Sequence, residues 1–375
     1  MDLTPLFLAL AFVADVLSGM PGTQADLQKK AHHLVIADLA AVNAQVDSEG
    51  AGAFLHFELA WGPVVYQAQG SNVADNVIYV AKNTKAPNGF FTEKNYYYVG
   101  VAGTNFKSSF DWLIEDGLVS WTVPWQSGQP SAGRIALGTA TGLSILQGLS
   151  AVPSIPSGST QPMDLMGYLA QQIGSETGSV HVTGHSLGGA LAPVVGLWLD
   201  ENKPHWGPNA DVKVHIFAGP TPGDSTFASY YNGRLGGATT STWNAYDIVP
   251  HAWSHSTAPN ISQMPGLYAG FPANGKVVPG QEIKDIAGLL EDISRETDYT
   301  AVTNSPAAFA KPSVHIDVTA CKSNLEKFLV QAIYQHTIAY MKHFKLPVKN
   351  PPLECGEATE LVQQVESLAK EARNG

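Results

Sequence analysis

The chain has 375 residues, 44% hydrophobic and 14% charged, with a net charge of −11. A charged fraction so far below the roughly 25% of an average soluble protein excludes a disordered chain, because enough apolar surface is present to build a large core. The acidic balance excludes a general nucleic-acid binder, which needs a basic face to displace counterions.

Residues 1–48 read as an N-terminal helical segment, broken by Pro21-Gly22. Residues 6–13 are apolar enough to resemble a signal-peptide core. However, Asp2 precedes them in place of a positive start and Asp15 follows, so a buried helix is expected ahead of a cleaved signal. Export stays open between a secreted and a cytoplasmic protein. No apolar run approaches the 18 or so residues needed to span a bilayer, so no transmembrane segment is expected. Short β-like runs follow at 54–61, 76–81 and 96–102, enriched in Tyr, Val and Ile, and then an aromatic stretch at 106–125. Residues 150–162 read as a loop, 180–183 as a strand, 187–199 as a helix, 212–218 as a strand and 242–246 as another. Residues 249–310 read as an irregular insertion, 313–318 as an alternating strand, 323–344 as a helix and 356–373 as a C-terminal helix. In that last helix Leu361, Val365 and Leu368 form a stripe that docks on the body or on a second copy. Cys321 and Cys355 are too few for a disulfide scaffold or a Cys-rich zinc module; they form one bridge or stay as thiols.

Strands alternating with helices point to the α/β class: a mostly parallel central sheet flanked by helices, in one domain over 1–375. Chemistry in such a sheet sits at the carboxyl ends of its strands. After the run Val180-His181-Val182-Thr183 comes Gly184-His185-Ser186-Leu187-Gly188-Gly189 and then a helix. This is G-x-S-x-G between a strand and a helix, the setting of a nucleophile elbow. Glycines flank the serine because the turn is too sharp for large neighbours. The helix N-terminus and the Leu187 N–H are placed to stabilise an oxyanion. Pro193 lies seven residues past the serine, where a kink is expected.

Several further motifs, in order over roughly residues 95–345, resemble those of the class 3 (fungal-type) lipase family of α/β-hydrolases. Val101-Ala102-Gly103-Thr104-Asn105 is similar to its oxyanion loop, with Ala102 where the family usually has Arg. Residues 108–116 are similar to its short lid helix. Phe217-Ala218-Gly219-Pro220-Thr221-Pro222-Gly223-Asp224 resembles a strand-end segment of the family, again without its Arg, at Thr221. Asn244-Ala245-Tyr246-Asp247-Ile248-Val249-Pro250 resembles the segment carrying the catalytic acid, and Gln335-His336-Thr337-Ile338-Ala339-Tyr340 the one carrying the catalytic histidine.

A serine hydroxyl needs a base within reach and an acid to orient that base, in the chain order Ser, Asp, His for this fold. The resemblance therefore implies Ser186, Asp247 and His336. Asp224 competes for the acid but fits better as a helix start. Among the histidines after Asp247, His251 and His255 come too early, and His315 is the runner-up to His336. Thr104 and Leu187 are expected to form the oxyanion hole. Phe110, Leu113 and Ile114, with Phe106 one turn before, form an apolar stripe with acids opposite, and together with Trp112 they are the expected lid and substrate contacts within a lid region at 105–127. Trp121 and Trp125 are read as extending the same apolar mouth. No metal cluster, phosphate loop or dinucleotide fingerprint stands out, so neither a metal nor a cofactor is expected. The implied activity is ester hydrolysis on a lipid at a lipid–water interface, most simply that of a triacylglycerol lipase. Phospholipase, feruloyl-type esterase and acyltransferase remain alternatives on the same fold. From other classes come a non-catalytic lipid-binding hydrolase fold and a serine peptidase. The oligomeric state stays open.

Overall fold

The computed structural model describes residues 2–85, 95–103, 120–125, 130–154, 161–255, 259–302, 307–348 and 351–374. Its strands are β1 Phe57–Tyr66, β2 Asn76–Asn83, β3 Tyr96–Ala102, β4 Thr122–Pro124, β5 Arg134–Ala136, β6 Ser150–Ala151, β7 Met163–Asp164, β8 Gly178–His185, β9 Ala210–Phe217, β10 Thr239–Asn244 and β11 Ala307–Phe309. Its helices are α1 Thr4–Ala14, α2 Gln24–Ser48, α3 Leu137–Gly148, α4 Leu165–Gln172, α5 Leu187–Glu201, α6 Lys203–Trp206, α7 Ser225–Leu235, α8 Gln281–Ser294, α9 Asn324–His336, α10 Ile338–His343 and α11 Thr359–Asn374.

A seven-stranded sheet runs in the order β1-β2-β3-β8-β9-β10-β11. β1, β2 and β3 pair antiparallel; β3, β8, β9, β10 and β11 run parallel. Both faces are buried, and the period-2 alternation of strand side chains assigns each residue to one of them. Ile78, Val80, Tyr97, Val99, Val101, Val180 and Val182 share a core with residues of α3, α4 and α5. Their neighbours Val77, Tyr79, Ala81, Tyr96 and Tyr98 share another with α1 and α2. The β runs at 54–61 and 76–81 thus extend to Tyr66 and Asn83, the strand at 180–183 to 178–185, and the one at 242–246 shifts to 239–244.

α1 is the buried helix that its composition suggested. Leu8, Leu10, Ala11 and Ala14 are fully enclosed and Val13 nearly so, each large side chain contributing about 1.5–3 kcal/mol relative to exposure. Two hydrogen bonds fix its depth on the sheet: Tyr79 Oη donates to the Leu10 carbonyl (2.7 Å), and Thr183 Oγ1 to the Phe7 carbonyl (3.0 Å). α2 covers the sheet beside it through Leu27, Ala31, Val35 and Leu39, which repeat every fourth residue.

Four expectations are corrected. Residues 249–310 are not irregular throughout: they hold the 14-residue α8, whose Ile283, Ile286 and Leu290 join a third core, and the edge strand β11. The run 313–318 is not a strand; the sheet ends at β11, just before it. The helix read over 323–344 is two, α9 and α10, interrupted at Thr337 (φ −124°, ψ −73°). Trp125 is buried in the core, its Nε1–H donating to Glu201 (3.0 Å), whereas Trp121 stands 70% exposed. α11 packs its Val365 side into the third core. Cys321 and Cys355 are bridged, tying the approach to that helix onto the start of α9. Among the described residues no helix is long and apolar enough to cross a membrane.

Candidate active site

The site is built at the carboxyl ends of β8 and β10. Where β8 turns into α5, Ser186 takes φ 60° and ψ −128°, a backbone conformation that L residues rarely adopt. The turn is held because the Ser186 N–H donates to the Phe217 carbonyl at the end of β9 (3.0 Å) and the Gly189 N–H to the Ser186 carbonyl (2.8 Å). The glycines are steric requirements. A Cβ on Gly184 would run into the Gly188 carbonyl, and one on Gly188 into the Val101 carbonyl of β3. α5 continues through Pro193 to Glu201. Its first residue is Leu187, and a first-turn N–H has no acceptor within its own helix. Gly103 lies against Leu187: a Cβ there would meet the leucine Cβ. The end of β3 therefore reaches the elbow, but Thr104 lies outside the described residues, as do Phe106, Phe110, Trp112, Leu113 and Ile114.

Asp247 is set by a turn after β10. Its N–H donates to the Asn244 carbonyl (2.9 Å), while the Asn244 side chain accepts the Tyr246 N–H (3.1 Å). The Asp247 carboxylate is wholly buried and fully used. His336 Nδ1 lies 2.9 Å from both oxygens, the Tyr340 hydroxyl donates to Oδ2 (2.9 Å), and the Val249 N–H donates to Oδ1 (3.0 Å). His336 is the last residue of α9, and its Nε2 lies 2.8 Å from Ser186 Oγ. With the Nδ1 proton given to Asp247, Nε2 has a free lone pair to accept the serine proton. Burial pushes the His336 imidazole below its ordinary value, partly offset by the attraction of Asp247, so the ring is held as a neutral base.

Ser186, Asp247 and His336 are thus brought together from positions up to 150 residues apart. The competitors are placed elsewhere. Asp224 caps α7, accepting the Phe227 N–H (2.7 Å). His251 Nδ1–H donates to the Asp247 backbone carbonyl (2.7 Å), not to its carboxylate. His255 bonds Ser294 (2.8 Å), and His315 bonds the Pro312 carbonyl (2.9 Å) and Asn274 (3.0 Å). Asn244 and Tyr340 lie in the two motifs that bear Asp247 and His336, but the sequence assigns neither of them a task. Asn244 donates its side-chain amide to Gln335 (2.7 Å to Oε1), and its backbone N–H to the Tyr340 hydroxyl (2.8 Å). The spacing of Tyr340 four residues after His336 was the available signal.

Comparison with known proteins follows the same lines. The family described as Lipase (class 3) matches residues 154–256. Lipases of Rhizopus niveus and Rhizopus oryzae are each 41% identical over 75 residues, 20% of this chain and 19% of theirs. The chain thus spans about a fifth of the length of the curated relatives it matches. Over its whole length it superposes on the crystal structure of M37 lipase, all of which is covered, with a TM-score of 0.71 at 24% identity. The chain has the α/β-hydrolase fold, and the resemblance to class 3 lipases drawn from its motifs is borne out.

Proposed function

We propose that this protein is a serine carboxylic ester hydrolase, a triacylglycerol lipase that works through an acyl-serine intermediate. The observation that carries this reading is the continuous line from Ser186 Oγ through both nitrogens of His336 to the buried Asp247 carboxylate, each contact at 2.8–2.9 Å. Ser186 Oγ attacks the ester carbonyl as His336 Nε2 takes its proton. The imidazolium so formed is stabilised by Asp247. The tetrahedral oxygen accepts from the Leu187 N–H, with Thr104 assigned as the second donor on the strength of the Gly103-Thr104 motif and the position of Gly103 at the elbow. His336 then returns the proton to the departing alcohol, and water attacking by the same route frees the acid and the serine.

A lipid substrate is supported by the similarity of residues 154–256 to class 3 lipases and by the apolar stripe of Phe106, Phe110, Leu113 and Ile114, which suits a lipid–water interface. The exposed Trp121 adjoins that stretch in sequence.

The test is hydrolysis of a triglyceride length series by wild type and Ser186→Ala, with stoichiometric labelling by a serine-directed organophosphate. One equivalent at Ser186 and loss of turnover by a factor of about 10⁴ or more in the variant are expected. Undiminished hydrolysis by Ser186→Ala would refute the mechanism. A head-group and feruloyl-ester panel separates a lipase from a phospholipase or an esterase. A rise in rate when the ester forms an emulsion supports interfacial action, and a smooth hyperbola through the solubility limit removes it.

A further inference from the structure

We infer that His185 and Asp15 are positioning residues for His336, so that the end of the N-terminal helix supports the catalytic base. The inference rests on the triad reading above. His185 is the last residue of β8, next to the nucleophile, and its ring is buried. Its Nε2–H donates to the backbone carbonyl of His336 (2.8 Å). The last carbonyls of a helix lack donors within the helix, and His336 ends α9 just before the break at Thr337. His185 thus grips the base by its main chain while Asp247 grips it by its side chain. The His185 ring also packs on the His336 ring (centroids 4.7 Å apart) and meets Tyr340 edge-on (5.6 Å, 85°).

The other nitrogen of His185 faces the N-terminal segment. Its Nδ1 lies 3.6 Å from Asp15 Oδ2, in the 3₁₀ turn Asp15–Leu17 that closes α1, and Phe12 covers the ring (4.7 Å). Asp15 thus closes off the Nδ1 side of the ring, with Nε2 turned to the His336 carbonyl. Burial raises the Asp15 carboxyl, and the nearby His185 opposes that. α1 is itself pinned to the sheet by Tyr79 and Thr183. Rigidity therefore passes from the sheet through α1 to the far side of the base.

The test uses three variants of the full chain. His185→Phe keeps the ring and loses the donor; His185→Gln offers an amide N–H near the Nε2 position; Asp15→Asn removes the charge. On a soluble short-chain p-nitrophenyl ester, His185→Phe is expected to lower kcat by about 10-fold or more with KM within about 2-fold, since small misplacements of a base are costly. His185→Gln should recover most of that loss, and Asp15→Asn should cost about 3-fold. Melting temperatures identify any loss due to unfolding. A kcat of His185→Phe equal to wild type, or equal impairment of the Phe and Gln variants, overturns the inference. The low-field proton resonance of His336 Nδ1–H, assigned by its absence in Asp247→Asn, gives a readout that needs no turnover. It should broaden or shift in His185→Phe and return in His185→Gln; an unchanged resonance also overturns the inference. Full activity of Ser186→Ala would instead mark failure of the triad reading, and the resonance would still decide the positioning claim.

Discussion

Tyr340 donates its hydroxyl to Asp247 Oδ2, the same carboxylate oxygen that stands 2.9 Å from His336 Nδ1. The Asn244 N–H in turn donates to the Tyr340 oxygen, so the phenol is aimed by the end of β10. This donor draws negative charge away from the side of Asp247 that stabilises the imidazolium. In Tyr340→Phe that charge is restored to the ring, and His336 becomes a stronger base. Because burial lowers His336 from its ordinary value, the acid limb of kcat/KM in wild type should lie below that of a free imidazole. The variant should shift the limb upward and lower kcat about 5-fold, the equivalent of one hydrogen bond of about 1 kcal/mol. A pH–rate profile on a soluble ester checks both, and an unmoved limb contradicts the account.

Two glycine-to-alanine changes should move stability in opposite directions. Gly188→Ala drives a Cβ into the Val101 carbonyl, which is backbone and cannot swing aside. It should cost at least the upper end of the about 1–3 kcal/mol typical of overpacking, and disturb the elbow. Gly233 sits exposed in α7, and a Cβ there meets nothing within 4 Å. Gly233→Ala should stabilise by about 0.5–1 kcal/mol through helix propensity alone. Thermal unfolding of both variants gives the comparison.

Acid should weaken the docking of α1 through a buried imidazole pair. His181 Nδ1 and His215 Nε2 are 2.9 Å apart across β8 and β9, and Phe7 of α1 stacks on His215 (centroids 3.6 Å). Burial, with the charge of Lys213 nearby, lowers His181 to about 3; burial, His181 and Lys213 lower His215 well below its ordinary 6.5. The unfolded chain therefore binds more protons than the folded one below about pH 6.5. The stabilisation is complete above that value and is lost as pH falls towards the folded values, by about 1.4 kcal/mol per pH unit for each ring. Denaturant unfolding at pH 7, 6 and 5 should show this slope, and His215→Asn should remove about one ring's share. An unchanged slope would assign the acid sensitivity to other groups.

The Cys321–Cys355 bridge closes 34 residues of chain around α9, and Glu326 reinforces it by accepting the Lys322 and Gly356 N–H groups (both 2.6 Å). Replacing both cysteines by alanine should cost up to about 4 kcal/mol by loop-closure entropy. Activity well below the melting temperature should persist, because His336 lies at the opposite end of α9 from the bridge. Loss of turnover in a folded variant would show that the tail positions the base as well.

Much of this molecule is written locally. The elbow follows from glycines that a short strand-to-helix turn demands, and the segments bearing Asp247 and His336 each carry their own turn and helix-end residues. The alternation along 313–318 was equally plain and misled, because a strand also needs a neighbouring backbone. There Gln331 and Gln335 side chains take the Ile316 and Val314 carbonyls (2.8 Å each) that a strand would offer to a partner. The 2.8 Å contact of His336 with Ser186, the bond from Tyr340 to Asp247, and the meeting of Asp15 with His185 belong to the tertiary structure alone. The last joins residues 170 positions apart through α1 seated on the sheet, and burial on both of its faces is what turns such distant groups towards one another.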